Sequence, residues 1–317
     1  MSSGERFVEA GDLRDTARLL HDVFGAPRFR DERYLDWYYR QNPLGPALET
    51  DLEDDGGRLG HIGGVPHVYH SRRGTVQCSF PLNVAVHERG RGRGLLGRLT
   101  ARQWASVEAR FGRAILLGMA NAQSAPFYMG KAGYRLQTRL PATICPPIWP
   151  ELGPVEHHGV DASFLRSAEF DRIFESLDLA PTEGYSERWT REGLVWRLSQ
   201  PDAGYAVHVG RDVVIVSALE ERLGIPFLVV GKTFRRKAAR SARPVANGVI
   251  ARACRYRGRA LGVYGGFSAT TRVLGAPLPE RLKPSPLNLV VNCLPAGWFD
   301  LSTFRYDTFE FLDFDAY

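Results

Sequence analysis

The chain is poor in the residues and runs that would declare its chemistry at once. Its four cysteines, Cys78, Cys145, Cys254 and Cys293, stand without C-x-x-C spacing, which excludes a zinc ribbon and a disulfide framework. Eight histidines include no H-E-x-x-H pair, and His157-His158 read as part of a glycine-flanked linker, so no metal is expected. No apolar run approaches the roughly 18 residues that a membrane span needs. Met1-Ser-Ser-Gly-Glu-Arg lacks the apolar centre of a signal peptide. No membrane partner and a cytoplasmic location are the expectations. Acidic residues are missing altogether between Glu108 and Glu151.

What is present is an ordinary globular composition, 44% hydrophobic and 24% charged, over 317 residues, enough for two cores. Net charge is +6 and unevenly spread: residues 89–113 carry seven arginines against Glu108 alone. Such a strip could bind nucleic acid nonspecifically. It coincides, however, with a more local device, so no specific nucleic-acid partner is expected.

That device is Val84-Ala-Val-His-Glu-Arg-Gly-Arg-Gly-Arg-Gly-Leu-Leu-Gly97, an apolar run meeting a glycine and arginine turn that opens into a helical pattern. Glycine allows close backbone approach, first-turn N–H groups lack partners, and the helix dipole favours an anion. Arg89, Arg91 and Arg93 add charge-assisted donors. The turn predicts a phosphate site. A Walker loop fails because Leu95 follows Gly94 where Lys is required. Gly92, Gly94 and Gly97 satisfy G-x-G-x-x-G, but no acid lies about 20 residues on to hold a ribose, which leaves only an NADP-type site as a dinucleotide reading.

The turn resembles the pyrophosphate loop of the GNAT N-acetyltransferase superfamily, R/Q-x-x-G-x-G/A. One register runs from Arg89 to Gly94; the preferred one aligns Val86-His87 with the family's Val-His-Pro and puts Arg91, Gly94 and Leu96 in the key positions. A second resemblance stands downstream: Asn121 through Phe127-Tyr128-Met129-Gly130-Lys131-Ala132-Gly133-Tyr134 is similar to the family's Asn…Tyr-x-Lys-x-Gly-Phe segment. The resemblance implies an acyl-CoA donor, acetyl-CoA or a longer acyl chain, with Ala85, Val86, Arg89, Arg91, Gly92, Arg93, Gly94, Leu95, Asn121 and Tyr128 at the cofactor. It implies transfer to the amine of a small molecule by a monomer or homodimer, with a bulge in the strand before the loop. Tyr128 is the candidate acid for the CoA thiolate, although Met129 occupies the family's tyrosine position. The base is not legible: His87, beside the loop, is one candidate, Asp36, Glu88, His61, His67 and His70 are no better supported, and a water chain could also serve. The alternatives are a noncatalytic acyl-CoA-binding or scaffold protein and an NADP-binding oxidoreductase.

Around these motifs the periodicity predicts helices and strands of an α+β fold, and the resemblance implies two GNAT-like domains in tandem with mixed, mostly antiparallel sheets. Helices are expected over 11–24 and 31–41, strands over 59–69 and 75–87, and a polar hairpin tip at Asp51-Leu-Glu-Asp-Asp-Gly-Gly57. A helix over about 96–111 and a strand over 114–119 follow the loop. The first domain spans 1–150, ending in a proline cluster; 151–317 is a faint repeat, with Trp196 and Pro201 echoing Trp37 and Pro43. Its counterpart of the loop, Phe234 to Arg243, is basic but has no glycine, so the second domain is expected to bind no cofactor. Phe309, Phe311 and Phe314 alternate with acids and predict a terminal strand.

Overall fold

The computed structural model describes residues 4–8, 11–150, 153–222, 224–279, 283 and 286–314. The chain divides into two compact units that borrow from each other along the sequence: 1–69, 75–138 and 287–303 form the first, and 70–74, 139–286 and 304–317 the second. A single cut after residue 150 therefore misplaces three segments, because strand pairing, not composition, sets the boundary. Among the described residues no helix is long and apolar enough to cross a membrane.

In the first unit, β1 (Arg6–Val8) leads to α1 (Leu13–Phe24) and α2 (Arg33–Arg40), then β2 (Leu48–Asp54), β3 (Gly57–Ser71) and β4 (Gly74–Val86). After the glycine loop come α3 (Leu95–Phe111), β5 (Ala114–Ala120), α4 (Ala125–Gly130) and β6 (Arg135–Arg139). The Asp12 side chain caps α1 by accepting from Arg14 N at 2.9 Å, and Gly25 in a left-handed conformation ends it. Helix α1 buries Leu13, Ala17 and Leu20 on one face. The expected hairpin tip is instead mostly strand: β2 pairs antiparallel with β3, Asp51 opposite His61, and Asp51 is fully buried. Leu48, Thr50 and Leu52 alternate with acids, and that period of two outweighs the polar composition.

The sheet order is β1-β2-β3-β4-β5-β15-β6, with β15 (Asn288–Leu294) coming from far down the chain to pair antiparallel with β5. Strands β4 and β5 are parallel and pair only at Cys78–Ile115 and Ser79–Leu116. Beyond Ser79 the two strands separate, and Asn83, within β4, has φ 52°. A backbone irregularity thus stands in the strand before the loop, and past Ser79 the described residues of β4 and β5 do not pair.

The second unit holds β7 (Ala142–Cys145), β8 (Glu156–Gly159), α5 (Ala162–Leu165), α6 (Ala168–Glu175), β9 (Ser186–Glu187) and α7 (Arg191–Leu198). There follow β10 (Ala206–Val209), β11 (Val213–Arg222), β12 (Ile225–Arg235), α8 (Asn247–Tyr256), β13 (Gly262–Ser268), β14 (Ala276–Pro277) and β16 (Thr308–Glu310). Its order, β14-β7-β13-β12-β11-β10-β8, repeats the first unit's from the opposite end. Strands β12 and β13 are the parallel pair, and α8 stands where α3 stood. Helices α2 and α7, carrying Trp37 and Trp196, each precede the second strand of their sheet's path. The strands in the sixth place of each path are exchanged: β15, from the second half, sits between β5 and β6, while β7, from the first, sits between β13 and β14.

In the second unit the cleft is filled by the chain itself. Strands β12 and β13 pair only from Leu228–Gly262 to Val230–Tyr264; further on, β16 pairs with β13 at Gly266 to Ser268. The Glu310 carboxylate accepts from Thr233 N at 3.2 Å and Thr233 Oγ1 at 2.6 Å. Lys232, buried, donates to both oxygens of Asp313 at 2.6 and 2.7 Å and lies 3.1 Å from Glu310. Burial pushes the Asp313 carboxyl up to about 7, against the opposing pull of Lys232. The expected terminal strand is thus short, Thr308–Glu310, followed by a turn of 3-10 helix, and Phe309 stacks on Phe314 at 5.4 Å. Residues 315–317 of the expected strand lie outside the described residues.

Candidate functional site

The geometry of the first unit's loop follows from two glycines. Gly92 and Gly94 have φ of 75° and 71°, conformations an L side chain adopts only at a cost, and a Cβ on either would meet nothing within 4 Å. Gly94 is the N-cap of α3 and offers no side chain to its first turn, which has no acidic residue either. Leu95 turns its side chain into the core with Leu52, Leu59 and Leu99, so its contribution to the loop is its backbone N–H. The helix start is consequently an uncapped row of donors facing an open groove.

That groove, of about 460 Å³, is lined by Val86, Arg91, Gly92 and Gly94 on one side and by Phe127 and Lys131 of the α4 segment on another. The three loop arginines are not equivalent. Arg89 is tied to the β2–β3 turn, donating to Asp54 Oδ1 at 3.1 Å and Gly56 O at 2.9 Å. Arg93 pairs with the buried Glu5, as does Arg98. Arg91 has no side-chain partner among the described residues, nor has Lys131. The preferred register, with Arg91 in the key position, is therefore the one whose arginine reaches the groove, and Arg89 and Arg93 serve to hold the loop's shape. Lys131 is a second cation the anion reading did not assign; its place three residues before Tyr134 was the available signal.

Backbone direction sorts the β4 residues. His87 N donates to Leu59 O of β3 at 2.8 Å. Along a strand successive peptide groups point to opposite edges, so Ala85 also faces β3, while Val86 N–H faces the side that β5 has left. Of the pair Ala85 and Val86, it is Val86 that the cleft can use.

The two candidate catalytic side chains sit elsewhere. The His87 ring accepts from Arg89 N at 3.2 Å, starting the turn of 3-10 helix at Glu88, and lines the depression beside Asp54 and Arg58 instead of the groove. Tyr128 packs with Val107, Leu116, Ala132 and Val290, its ring edge-on to Tyr134 at 5.0 Å. Burial raises its hydroxyl well above the usual tyrosine value. Successive helical residues diverge by about 100°, so with Phe127 and Lys131 on the groove Tyr128 faces the core. It is a packing residue: Tyr128→Phe is expected to leave turnover within about twofold of wild type, and a loss of tenfold or more in steady-state rate would restore the acid role. Asn121 Oδ1 accepts from Gln123 N and Ser124 N at 2.9 and 2.8 Å, forming the turn that starts α4.

One group of metal-ligand type occurs among the described residues, Glu156, His158 and Glu169 of the second unit. Arg172 donates to both carboxylates, at 2.8 and 2.6 Å, so a guanidinium already occupies the cationic place.

Sequence missed a buried polar chain in the first unit. The Tyr39 hydroxyl lies 2.8 Å from His61 Nε2, His61 Nδ1 lies 2.7 Å from Asp51 Oδ1, and Asn83 Nδ2 donates to the Tyr39 oxygen at 2.9 Å. Asp51 also meets Arg58 at 3.1 Å. Tyr39, His61 and Asp51 come from α2, β3 and β2, so no local motif could reveal them.

No family model matches the sequence, and no curated protein matches it. Solved structures do match it in fold. A GCN5-related N-acetyltransferase from Anabaena variabilis superposes with TM-score 0.60 at 12% identity, covering 91% of this chain and 72% of that one. A protein of Enterococcus faecalis described as a probable N-acyltransferase gives TM-score 0.59 at 14% identity, over 93% and 72%. Saccharomyces cerevisiae N-myristoyltransferase, solved with myristoyl-CoA bound, gives 0.53 at 10% identity, over 92% and 82%. Likeness at this level of identity establishes the architecture, two GNAT-like folds in tandem.

Proposed function

We propose that this chain of tandem GNAT fold is an acyl-CoA-dependent N-acyltransferase, acting on the amine of a small molecule such as an amino sugar or amino acid derivative. The observation that carries the reading is the conjunction, in one unit, of an uncapped helix start behind Gly92 and Gly94, a groove shared with Phe127 and Lys131, and an edge of β4 that runs past its pairing with β5. The loop would hold the pyrophosphate through backbone N–H groups and Arg91, with Lys131 across the groove. The thioester arm would then lie along the free edge of β4, where Val86 N–H can orient a carbonyl. The absence of an acid between Glu108 and Glu151, together with the antiparallel pairing of β1, β2 and β3 where a Rossmann sheet is parallel, argues against the dinucleotide reading.

Acyl transfer needs the acceptor ammonium to lose a proton, the amine to attack the thioester carbonyl, and the thiolate to leave with a proton. Donors fixed toward the developing oxyanion stabilise that step without reorganising.

Calorimetric titration with CoA tests the donor: one site per chain is expected, because β16 and the turn after it fill the second unit's cleft. Two equal sites, or tight NADPH binding in place of CoA, would overturn the reading. The arginines discriminate further. Arg91→Ala is expected to weaken CoA about tenfold, the loss of one charge-assisted contact partly exposed to water. Arg89→Ala, by contrast, should change CoA affinity less than about threefold, since its guanidinium is engaged with Asp54 and Gly56. Release of thiol from acetyl-CoA in the presence of an amine separates the enzyme from a noncatalytic CoA binder.

A further inference from the structure

We infer that the buried chain Asn83–Tyr39–His61–Asp51 is the proton path by which the acceptor amine is deprotonated. The inference rests on the acyltransferase reading and supplies the base that neither His87 nor Tyr128 provides.

A carboxylate only accepts, so the tautomer that donates from His61 Nδ1 to Asp51 leaves Nε2 to accept from the Tyr39 hydroxyl. Asn83 Nδ2, a donor only, points at the Tyr39 oxygen. Every link therefore donates inward, toward Asp51. A proton delivered to the Tyr39 oxygen is passed on by moving Tyr39's own hydroxyl hydrogen to His61 Nε2.

Three features distinguish this chain from a structural hydrogen-bond network. First, it runs from the interior outward: Tyr39, His61 and Asp51 are fully buried, whereas Asn83 is half-buried on the stretch of β4 past its pairing with β5. Second, Asn83 is held at φ 52° inside a strand, a conformation that costs free energy and gathers at functional sites. Third, Gly63 makes the room, since a Cβ there would lie 2.5 Å from the Tyr39 hydroxyl. Removing three polar side chains from water is expensive and gives little net stability.

The charged surroundings of His61 suit a transient imidazolium. Asp51 and Glu49 lie on β2 two rungs of the ladder apart, opposite His61 and Gly63. Burial raises the Glu49 carboxyl, with His61 and Arg40 opposing. Arg58, on β3 itself, pairs with Asp51 and with Glu53, and meets Thr16 of α1. Arg40 and Tyr39 are the α2 contributions, and Asn83 the β4 one.

The acceptor ammonium gives one N–H proton, through a water at the Asn83 amide, to the Tyr39 oxygen, while the Tyr39 hydroxyl proton moves to His61. The amine keeps the electron pair, Tyr39 is unchanged, and His61 becomes an imidazolium against Asp51. Tyr39, His61 and Asp51 act through Asn83 and that water, and so are positioning residues in the strict sense.

The test uses the full chain, acetyl-CoA as donor, and glucosamine, lysine and kanamycin in turn as acceptor probes, with thiol release followed from pH 6 to 9. Tyr39→Phe is expected to lower kcat about 100-fold near neutral pH with KM for acetyl-CoA unchanged. The deficit should shrink as pH rises and more acceptor arrives already deprotonated. Asn83→Gly keeps the left-handed backbone, removes the amide, and should cost about tenfold with the same pH trend. Wild-type kcat in Tyr39→Phe, or a deficit equal at every pH, overturns the relay. Should Tyr39→Phe lose CoA binding through misfolding, Asn83→Gly decides: full turnover in that variant overturns it. A wild type that binds CoA by calorimetry but releases no thiol overturns the enzyme reading and the relay together, whereas a wild type that turns over alongside fully active variants removes the relay alone.

Discussion

Gly94→Val is expected to weaken CoA at least about 100-fold while the protein stays folded, the largest loss of binding that any single change in the loop should bring. The residue has φ 71° and caps α3. A β-branched side chain resists that conformation, at a cost of about 1–2 kcal/mol for leaving the left-handed region unfavoured, and relief comes by rotating the peptide that aims the first-turn donors. Those donors then leave the anion together rather than singly. The new side chain also projects into space where nothing of the protein lies within 4 Å, which is the room a phosphate would take. Folding is spared for the same reason. Calorimetry with CoA beside a thermal melt checks both halves; an unchanged Kd would remove the loop from the binding site.

The second large effect falls on stability. Lys232→Met should destabilise the chain by about 3–5 kcal/mol, because it strands the carboxylates of Asp313 and Glu310 in a dry interior without their cation. Lys232 is almost wholly buried, and the charges of Asp313 and Glu310 raise its pKa despite desolvation. The triple change Lys232→Met, Glu310→Gln, Asp313→Asn should recover much of the loss, since it removes the charges along with their partner. Urea unfolding of the two variants measures the difference. A single-variant loss below about 1 kcal/mol would mean that water reaches the cluster and that the tail is not firmly seated.

These two sites differ in how far they can be read from sequence, and for a physical reason. Helix α3, strand β5 and the loop are legible because their signals are local: a 3.6-residue apolar period, a short apolar run, glycines at fixed offsets. Which arginine reaches the ligand is not local. It is decided by carboxylates at Asp54 and Glu5, which claim Arg89 and Arg93 from other strands or their approaches. Tyr128 fails as a sequence assignment because one residue of slippage on a helix turns a side chain to another face. Strand β2 is obscured by its acids, although Leu48, Thr50 and Leu52 carry the alternation. The same acids include Asp51, the inner end of the buried polar chain, so misreading the element hides the candidate base. The packing of the tail in the second unit is not legible: nothing in Phe234 to Arg243 announces that Glu310 meets Thr233.

The exchanged strands β7 and β15 bear on how this chain is made. Asn288 of β15 donates its side-chain amide to Ala120 O, a partner 168 residues earlier. While the ribosome is still producing the intervening chain, β5 has no neighbour on that edge, and its almost entirely buried apolar residues are a template for mispairing. The unit that carries the proposed chemistry begins first and finishes late, waiting for residue 294. A gene fragment ending at residue 150 would yield not a minimal enzyme but a sheet with an open seam, and heterologous expression of the halves should give aggregates that only the continuous chain avoids.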